Sequence, residues 1–430
     1  MKPLISKSGK GVMPGAGPGP GRGHSARQTA GARFGVRLGQ TGAMRAYLDH
    51  AATTPMRPEA VEAMLPYLSG PGMFGNPSGS HHESRRARLA VDDAREQIAG
   101  ILGADLGEVV FTGSGTEADN LAIIGTLGAR AVSTGGRAGP IVCTAMEHHA
   151  VLNTCRAVAG PGIGGLREVR SDKSGMVDLD SLAEACTPDV RLVSVMAVNN
   201  EIGTVQPLDD VSRLVRTLAP DAVLHTDAVQ AAPWLDMPPI TATVDLLSVS
   251  AHKFGGPKGV GALVVRNGVP IEEVIHGGGQ ERERRSGTHN VAGIVAMAAA
   301  LSATVAERAD TTTRVTRLRD RLVEGLLASI AGIREIGDRM GKVPGHAHLQ
   351  FAGVESEAMV VLLDEAGVAA SAGAACSSGA VEPSHVLLAM GLDKEAAGSG
   401  LRFSLGTTST DADVDHVLAV VPGVVARLRN

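Results

Sequence analysis

The chain has 430 residues, 43% hydrophobic and 20% charged, with 40 Lys and Arg against 45 Asp and Glu for a formal net charge of −5. That length supports two domains with a sizeable core, while the slight acidic balance and 2% aromatic content give no reason to expect a nucleic acid or an acidic membrane as partner. No apolar run is expected to span a bilayer, and four scattered cysteines, at 143, 155, 186 and 376, without CxxC spacing, fit free thiols in a reducing cytoplasm.

From Met1 to Arg45 the sequence is rich in Gly, Pro and Arg, contains no Asp or Glu, and has no periodic apolar face. It reads as a disordered leader, or as sequence preceding a true start at Met44, in preference to a transit peptide, because the Gly-Pro run from Pro14 to Gly23 opposes an amphipathic helix. Residues 46–57 then give a short apolar strand and a turn that Pro55 helps close. Residues 58–69 have helical spacing with Pro58 in the first turn. Residues 84–102 read as an exposed amphipathic helix, with Leu89, Ile98 and Leu102 on one face and the charges on a solvated face.

Beyond this helix, strands and helices alternate: VVFT, PIVCTA, LREVR, RLVSVMAVN, AVLHTD, LLSVS and GALVV, most separated by helical segments. The pattern is that of an α/β fold with a mostly parallel sheet covered by helices on both faces, whose ligands sit at the carboxyl ends of the strands. Residues 290–332 read as a long helix leading into a smaller C-terminal α/β domain.

Polar residues gather at those strand ends. VVFT runs into Gly113-Ser114-Gly115-Thr116, IVCTA into Glu147-His148, and SVMAV into Asn199-Asn200-Glu201. VLHT ends in Asp227 with Gln230 nearby, and LLSVS in His252-Lys253. Singly each has a plain explanation: GSGT as a capped helix start, His148 as a structural histidine, Asp227 as a cap, Lys253 as a solvated loop lysine. Five polar tips on successive strand ends are hard to explain as separate capping devices. A glycine turn into a helix offers N–H groups to a phosphate. A lysine at a strand end beside close-approach glycines is suited to a Schiff base. Together with a buried carboxylate that keeps a ring nitrogen protonated, these are the requirements of pyridoxal phosphate.

From Tyr47 to the end the sequence resembles the cysteine desulfurases, class V aminotransferase-like enzymes of fold type I. The motifs are YLDHAATTP (47–55), GNPSGSHH (75–82), FTGSGTEADNLAI (111–123), MEHHAV (146–151), VNNEIGTVQP (198–207), HTDAVQ (225–230), SAHKFGGPKGVGAL (250–263), GGGQERERRSGTHN (277–290), SAGAACSSG (371–379) and RFSLG (402–406). The resemblance implies a large domain over 59–305 with a mostly parallel seven-stranded sheet, a small domain over 306–430 that carries the catalytic cysteine loop, and a segment 46–58 packing with the small domain. It implies that Lys253 holds the cofactor as a Schiff base, that Asp227 pairs with the ring nitrogen, and that His148 stacks on the ring and assists proton transfer. Asn200 and Gln230 contact the ring hydroxyl, and Gly115, Thr116, Ser250 and His252 bind the phosphate. Thr288 matches a residue that reaches the phosphate of the neighbouring subunit, which implies a homodimer. No metal is implied.

Cys376 lies among small residues, where a cysteine is either inert packing or a nucleophile on a loop. The resemblance implies the nucleophile, with Arg402, and Asn200, binding the substrate. The implied reaction converts L-cysteine to L-alanine and leaves the sulfur as a persulfide on Cys376. An acceptor protein then uses the sulfur for iron–sulfur clusters or thio-modification. Selenocysteine lyase or another enzyme of the same fold is the alternative. A catalytically idle relative would lack Lys253, Asp227 or Cys376, and all three are present. Glu283 stands where the family commonly has Gly, and the phosphate turn Gly113-Ser114-Gly115 departs from the usual residue order at unchanged length.

Overall fold

The computed structural model describes residues 44–135, 138–160, 164–373 and 383–430, and residues from Met44 to Asn430 form one compact unit. The leader up to residue 43 and Cys376 lie outside the described residues.

A seven-stranded sheet forms the centre. Its strands run in the order Val109–Thr112, Gly261–Val265, Leu246–Ser250, Val223–Asp227, Leu192–Ser194, Ile141–Thr144 and Leu166–Val169. Gly261–Val265 is antiparallel to both neighbours, and the remaining pairs are parallel. The architecture is the α/β fold expected. Alternation along each strand feeds two cores: Val109 and Phe111 enter one, Val110 the other, and Val142 is separated in the same way from Ile141 and Cys143. Both faces are therefore buried, which is why these strands read as continuous apolar runs. Cys143, Cys155 and Cys186 are buried within these cores.

A second, antiparallel sheet runs in the order Ser371–Ala372, Gly400–Ser404, His346–Phe351 and Ile333–Glu335, and packs in its own core with Leu318, Leu322, Phe351 and Phe403. The short strand Ala46–Tyr47 pairs parallel with Val368–Ala369, beside this second core.

The helix Pro58–Ser69 begins at Pro58, whose missing N–H costs nothing at a helix start. The helix His82–Leu102 stops at Gly103, left-handed at φ 71°. Two expectations for this helix need correction. Leu89 is 61% exposed, so it lies off the apolar stripe of Val91, Ile98 and Leu102. Arg95 is only 7% exposed and bonds Glu281 and the Val109 carbonyl, so the charged face is not wholly solvated. The long helix spans Val291–Ser329 and, against expectation, contains a window long and apolar enough to cross a membrane. Its apolar character comes from close packing: Ala296, Met297, Ala300 and Leu301 are buried in the core shared with the helices Pro58–Ser69 and His82–Leu102.

Candidate active site

The strand ends open on a cavity of about 240 Å³. Gly115, Thr116, His148, Asn200, Asp227, Gln230, Ser250, His252 and Lys253 all line it, contributed by separate strand ends. Thr288 does not; it is exposed on the loop before Asn290. Glu147, Asn199 and Glu201, also at strand ends, are not part of the cavity lining. Glu147 braces the sheet, accepting from Thr144 Oγ1 at 2.9 Å and from Met196 N at 2.8 Å.

Lys253 follows the buried strand Leu246–Ser250 on a single tight turn, Ala251–Lys253. Its Nζ donates to the carbonyls of Ala51 at 2.5 Å and Ala52 at 3.0 Å. Gln230 Nε2 donates to the same Ala51 oxygen at 2.7 Å, and His252 Nδ1 lies 3.2 Å from Thr53 Oγ1. The loop of the YLDHAATTP motif thus closes one side of the cavity through its backbone, a role its sequence did not announce.

At one end of the cavity the chain makes room for an anion. Ser114 caps the helix Gly115–Asn120, accepting from Glu117 N at 3.1 Å. A Cβ at position 115 would lie 2.9 Å from Val229 Cγ2 and 3.1 Å from Ser250 Cβ, so the cradle exists because residue 115 has no side chain. Ser250 Oγ is buried and has no hydrogen-bond partner among the described residues. A phosphate oxygen would satisfy it.

At the other end two buried carboxyls meet. Asp227 Oδ1 accepts from Val229 N at 2.8 Å, and burial pushes its pKa up to about 6 against the pull of Val229 N–H and Lys253. Asp119, buried behind it, is held well above the usual carboxylate range by burial and then by Asp227. Ligand atoms of Asp119, Asp227 and His148 all lie within 4.8 Å of one another. So much buried acid calls for a positive charge, and a protonated ring nitrogen is one. The residues present therefore fit pyridoxal phosphate at both ends: an orphan hydroxyl and open cradle for the phosphate, and paired acids for the ring nitrogen.

His148 lies at the acid end, within 4.8 Å of Asp119 and Asp227. Its Nδ1 accepts from Ala150 N at 3.1 Å, and burial, reinforced by Lys253, pushes its pKa down to about 4. The ring is neutral at physiological pH, with its proton on Nε2. His252 is likewise lowered to about 4 by burial and then Lys253.

Arg402, in the second sheet, is buried and, like Thr288, is not among the residues lining the cavity. Its Nη1 donates to the Asn200 carbonyl at 2.9 Å and its Nη2 to Asp49 Oδ1 at 2.8 Å. Nε has no hydrogen-bond partner among the described residues. Asp49, which bonds Arg402, and Asp119, which lines the cavity beside Asp227, are the residues here that sequence reasoning did not single out. Both stood inside quoted motifs, but only their tertiary neighbours reveal what they hold.

The aminotransferase class-V family matches residues 46–417. The chain is 43% identical over 383 residues to the cysteine desulfurase IscS of Dictyoglomus turgidum, covering 89% of this chain and 95% of that protein. It is 45% identical over 387 residues to the IscS-like cysteine desulfurase of Mycobacterium tuberculosis, covering 89% and 97%. A solved NifS-like protein superposes with a TM-score of 0.82 at 35% identity, over 89% of this chain and all of that one. With its site built at the strand ends as described, the chain belongs to the aminotransferase class-V family, in its cysteine desulfurase branch.

Proposed function

We propose that this chain is a pyridoxal phosphate-dependent cysteine desulfurase that converts L-cysteine to L-alanine and hands the sulfur to Cys376. The observation that carries the reading is the single cavity in which Lys253 lies together with the acid pair Asp119 and Asp227 and with the cradle formed by Gly115 and Ser250. When bound, pyridoxal phosphate supplies an aldehyde for Lys253 and an electron sink for the substrate carbanion.

The chain's own groups do the rest. Arg402, held by Asp49 and the Asn200 carbonyl, takes the substrate carboxylate. Lys253 is the base for the α-proton, and neutral His148 is placed to hold or pass a proton from Nε2. Asp227 and Asp119 keep positive charge at their end of the cavity. The thiolate of Cys376 attacks the substrate sulfur: the S–S bond forms, the substrate Cβ–S bond breaks, and the electron pair stays on carbon, which is protonated and leaves as alanine. Thr288, exposed on this chain, is assigned to the neighbouring subunit's phosphate in a homodimer. Residues 59–305 and 306–430 act as the large and small domains, with 46–58 packing on the latter. The sulfur passes to an acceptor protein in the cytoplasm. Selenocysteine lyase activity is the less favoured reading, since the named relatives are cysteine desulfurases.

The test is incubation of the purified, cofactor-loaded protein with L-cysteine and a reductant, quantifying alanine and sulfide beside a Cys376→Ala variant. Equal alanine and sulfide, lost in the variant, supports the reading. No alanine from the loaded wild type overturns the substrate, and unchanged alanine from the variant overturns the nucleophile.

A further inference from the structure

Glu201 takes no part in the mechanism above, yet it is a buried acid at 2% exposure. It sits in a turn made rigid by its neighbour. Asn199 Oδ1 accepts from the N–H groups of Glu201 at 2.9 Å and Ile202 at 3.1 Å, and Asn199 Nδ2 donates to the Met146 carbonyl at 3.1 Å. The Glu201 carboxyl then meets two residues far along the chain. Ser384 Oγ donates to its Oε2 at 2.5 Å, and the same hydroxyl accepts from Leu387 N at 3.2 Å as the cap of the helix His385–Ala389. Against the same oxygen, a Cβ built on Gly373 would fall 2.4 Å away, and 3.3 Å from His348 Cε1. The backbone at 373 therefore runs directly against the carboxyl. Gly373 and Ser384 are the positions that bracket Cys376 in the sequence.

We propose that Glu201 is a positioning residue whose carboxyl fixes Gly373 and Ser384, and thereby sets where the stretch bearing the nucleophilic sulfur begins and ends. The proposal rests on the reading of Cys376 as sulfur acceptor. An acid is costly at this depth: burial pushes the Glu201 pKa up to about 7, with the Ser384 hydroxyl and Arg402 pulling the other way. An apolar side chain would fill the space without that cost, but it offers no acceptor to Ser384.

The experiment compares the cofactor-loaded wild type with Glu201→Ala, Glu201→Gln, Ser384→Ala, the double variant Glu201→Ala/Ser384→Ala, and Cys376→Ala. Three quantities are measured: kcat and KM for alanine formation, the absorbance change on binding L-alanine, and the alkylation rate of Cys376 by iodoacetamide followed by peptide mass. Glu201→Ala and Ser384→Ala should each lower kcat about 10- to 100-fold by misplacing the sulfur, and shift the alkylation rate several-fold, with KM and L-alanine binding within about twofold. The loss in the double variant should fall well below the combined single losses, because both changes remove the same Glu201–Ser384 bond. Glu201→Gln, whose amide oxygen still accepts from Ser384, should recover most of kcat. Wild-type kcat and alkylation in Glu201→Ala, or additive losses in the double variant, overturn the proposal. Should Glu201→Ala fail to fold, wild-type behaviour of Ser384→Ala overturns it equally. If Cys376→Ala keeps full alanine formation, the sulfur-acceptor reading fails and takes the proposal with it. An inactive Cys376→Ala beside a normal Glu201→Ala sinks the proposal alone.

Discussion

Arg402 and Asp49 stand 353 residues apart in sequence and form an ion pair at 2.8 Å between Nη2 and Oδ1. The pair ties the second sheet to the loop that closes the cavity, and it leaves Arg402 Nε without a partner among the described residues. The proposed substrate carboxylate would be an acceptor for that N–H. Arg402→Ala should therefore raise KM for L-cysteine about 10- to 100-fold, the worth of a charge-assisted hydrogen bond, while the bound cofactor's absorbance is retained. Asp49→Asn should raise KM by less, since Nη1 still donates to Asn200. Steady-state kinetics decide it; an unchanged KM in Arg402→Ala removes the anchor role.

Lys253 is the one amine lining the cavity. Borohydride treatment of the loaded wild type should add the reduced cofactor's mass to the peptide containing Lys253, and Lys253→Ala should gain none and show no turnover. Labelling of a different lysine in the wild type would refute the Schiff-base assignment.

The pKa of Asp227 is raised from 3.8 to about 6 by burial. The folded chain thus binds a proton that the unfolded chain has released between about pH 4 and pH 6, so the cofactor-free protein loses stability as pH rises through that window. Asp227→Asn has no such proton to lose. Urea unfolding of the cofactor-free proteins should show the variant gaining on the wild type from about pH 4 to about pH 6, reaching on the order of 1–3 kcal/mol above it. Parallel pH profiles for the two proteins would contradict the burial argument.

Glu281, Arg282 and Glu283 follow one another at φ 50°, 58° and 62°, a left-handed turn built without glycine. Glu281 holds it: its carboxylate takes bonds from Arg95, His289 and Phe111 N, and although burial works to raise its pKa, the Arg95 and His289 bonds keep it down at about 2. Glu283 is exposed and makes no such contribution, so Glu283→Gly should stabilise the protein by about 0.5–1 kcal/mol. A lower urea midpoint for the variant would show that the side chain matters more than the backbone.

The sequence by itself determined the strands, because β-branched runs buried on both faces leave a local signature, and the polar tips that follow them located most of the polar residues in the cavity lining. Lys253, Asp227, Ser250 and His148 were legible because each lies within a few residues of a strand end, where this class of sheet exposes its ligands. Thr288 is exposed and lies outside the cavity lining of its own chain. What only the tertiary structure decided is which charges meet. Arg95 looked solvated and is buried on Glu281; Asp49 looked like part of a turn and orients Arg402; Glu201 looked like another polar tip and turns away to Gly373 and Ser384. Periodicity is a local property set by backbone geometry, whereas the pairing of a buried charge depends on chain folding that brings distant segments within about 3 Å, a distance no spacing in the sequence encodes.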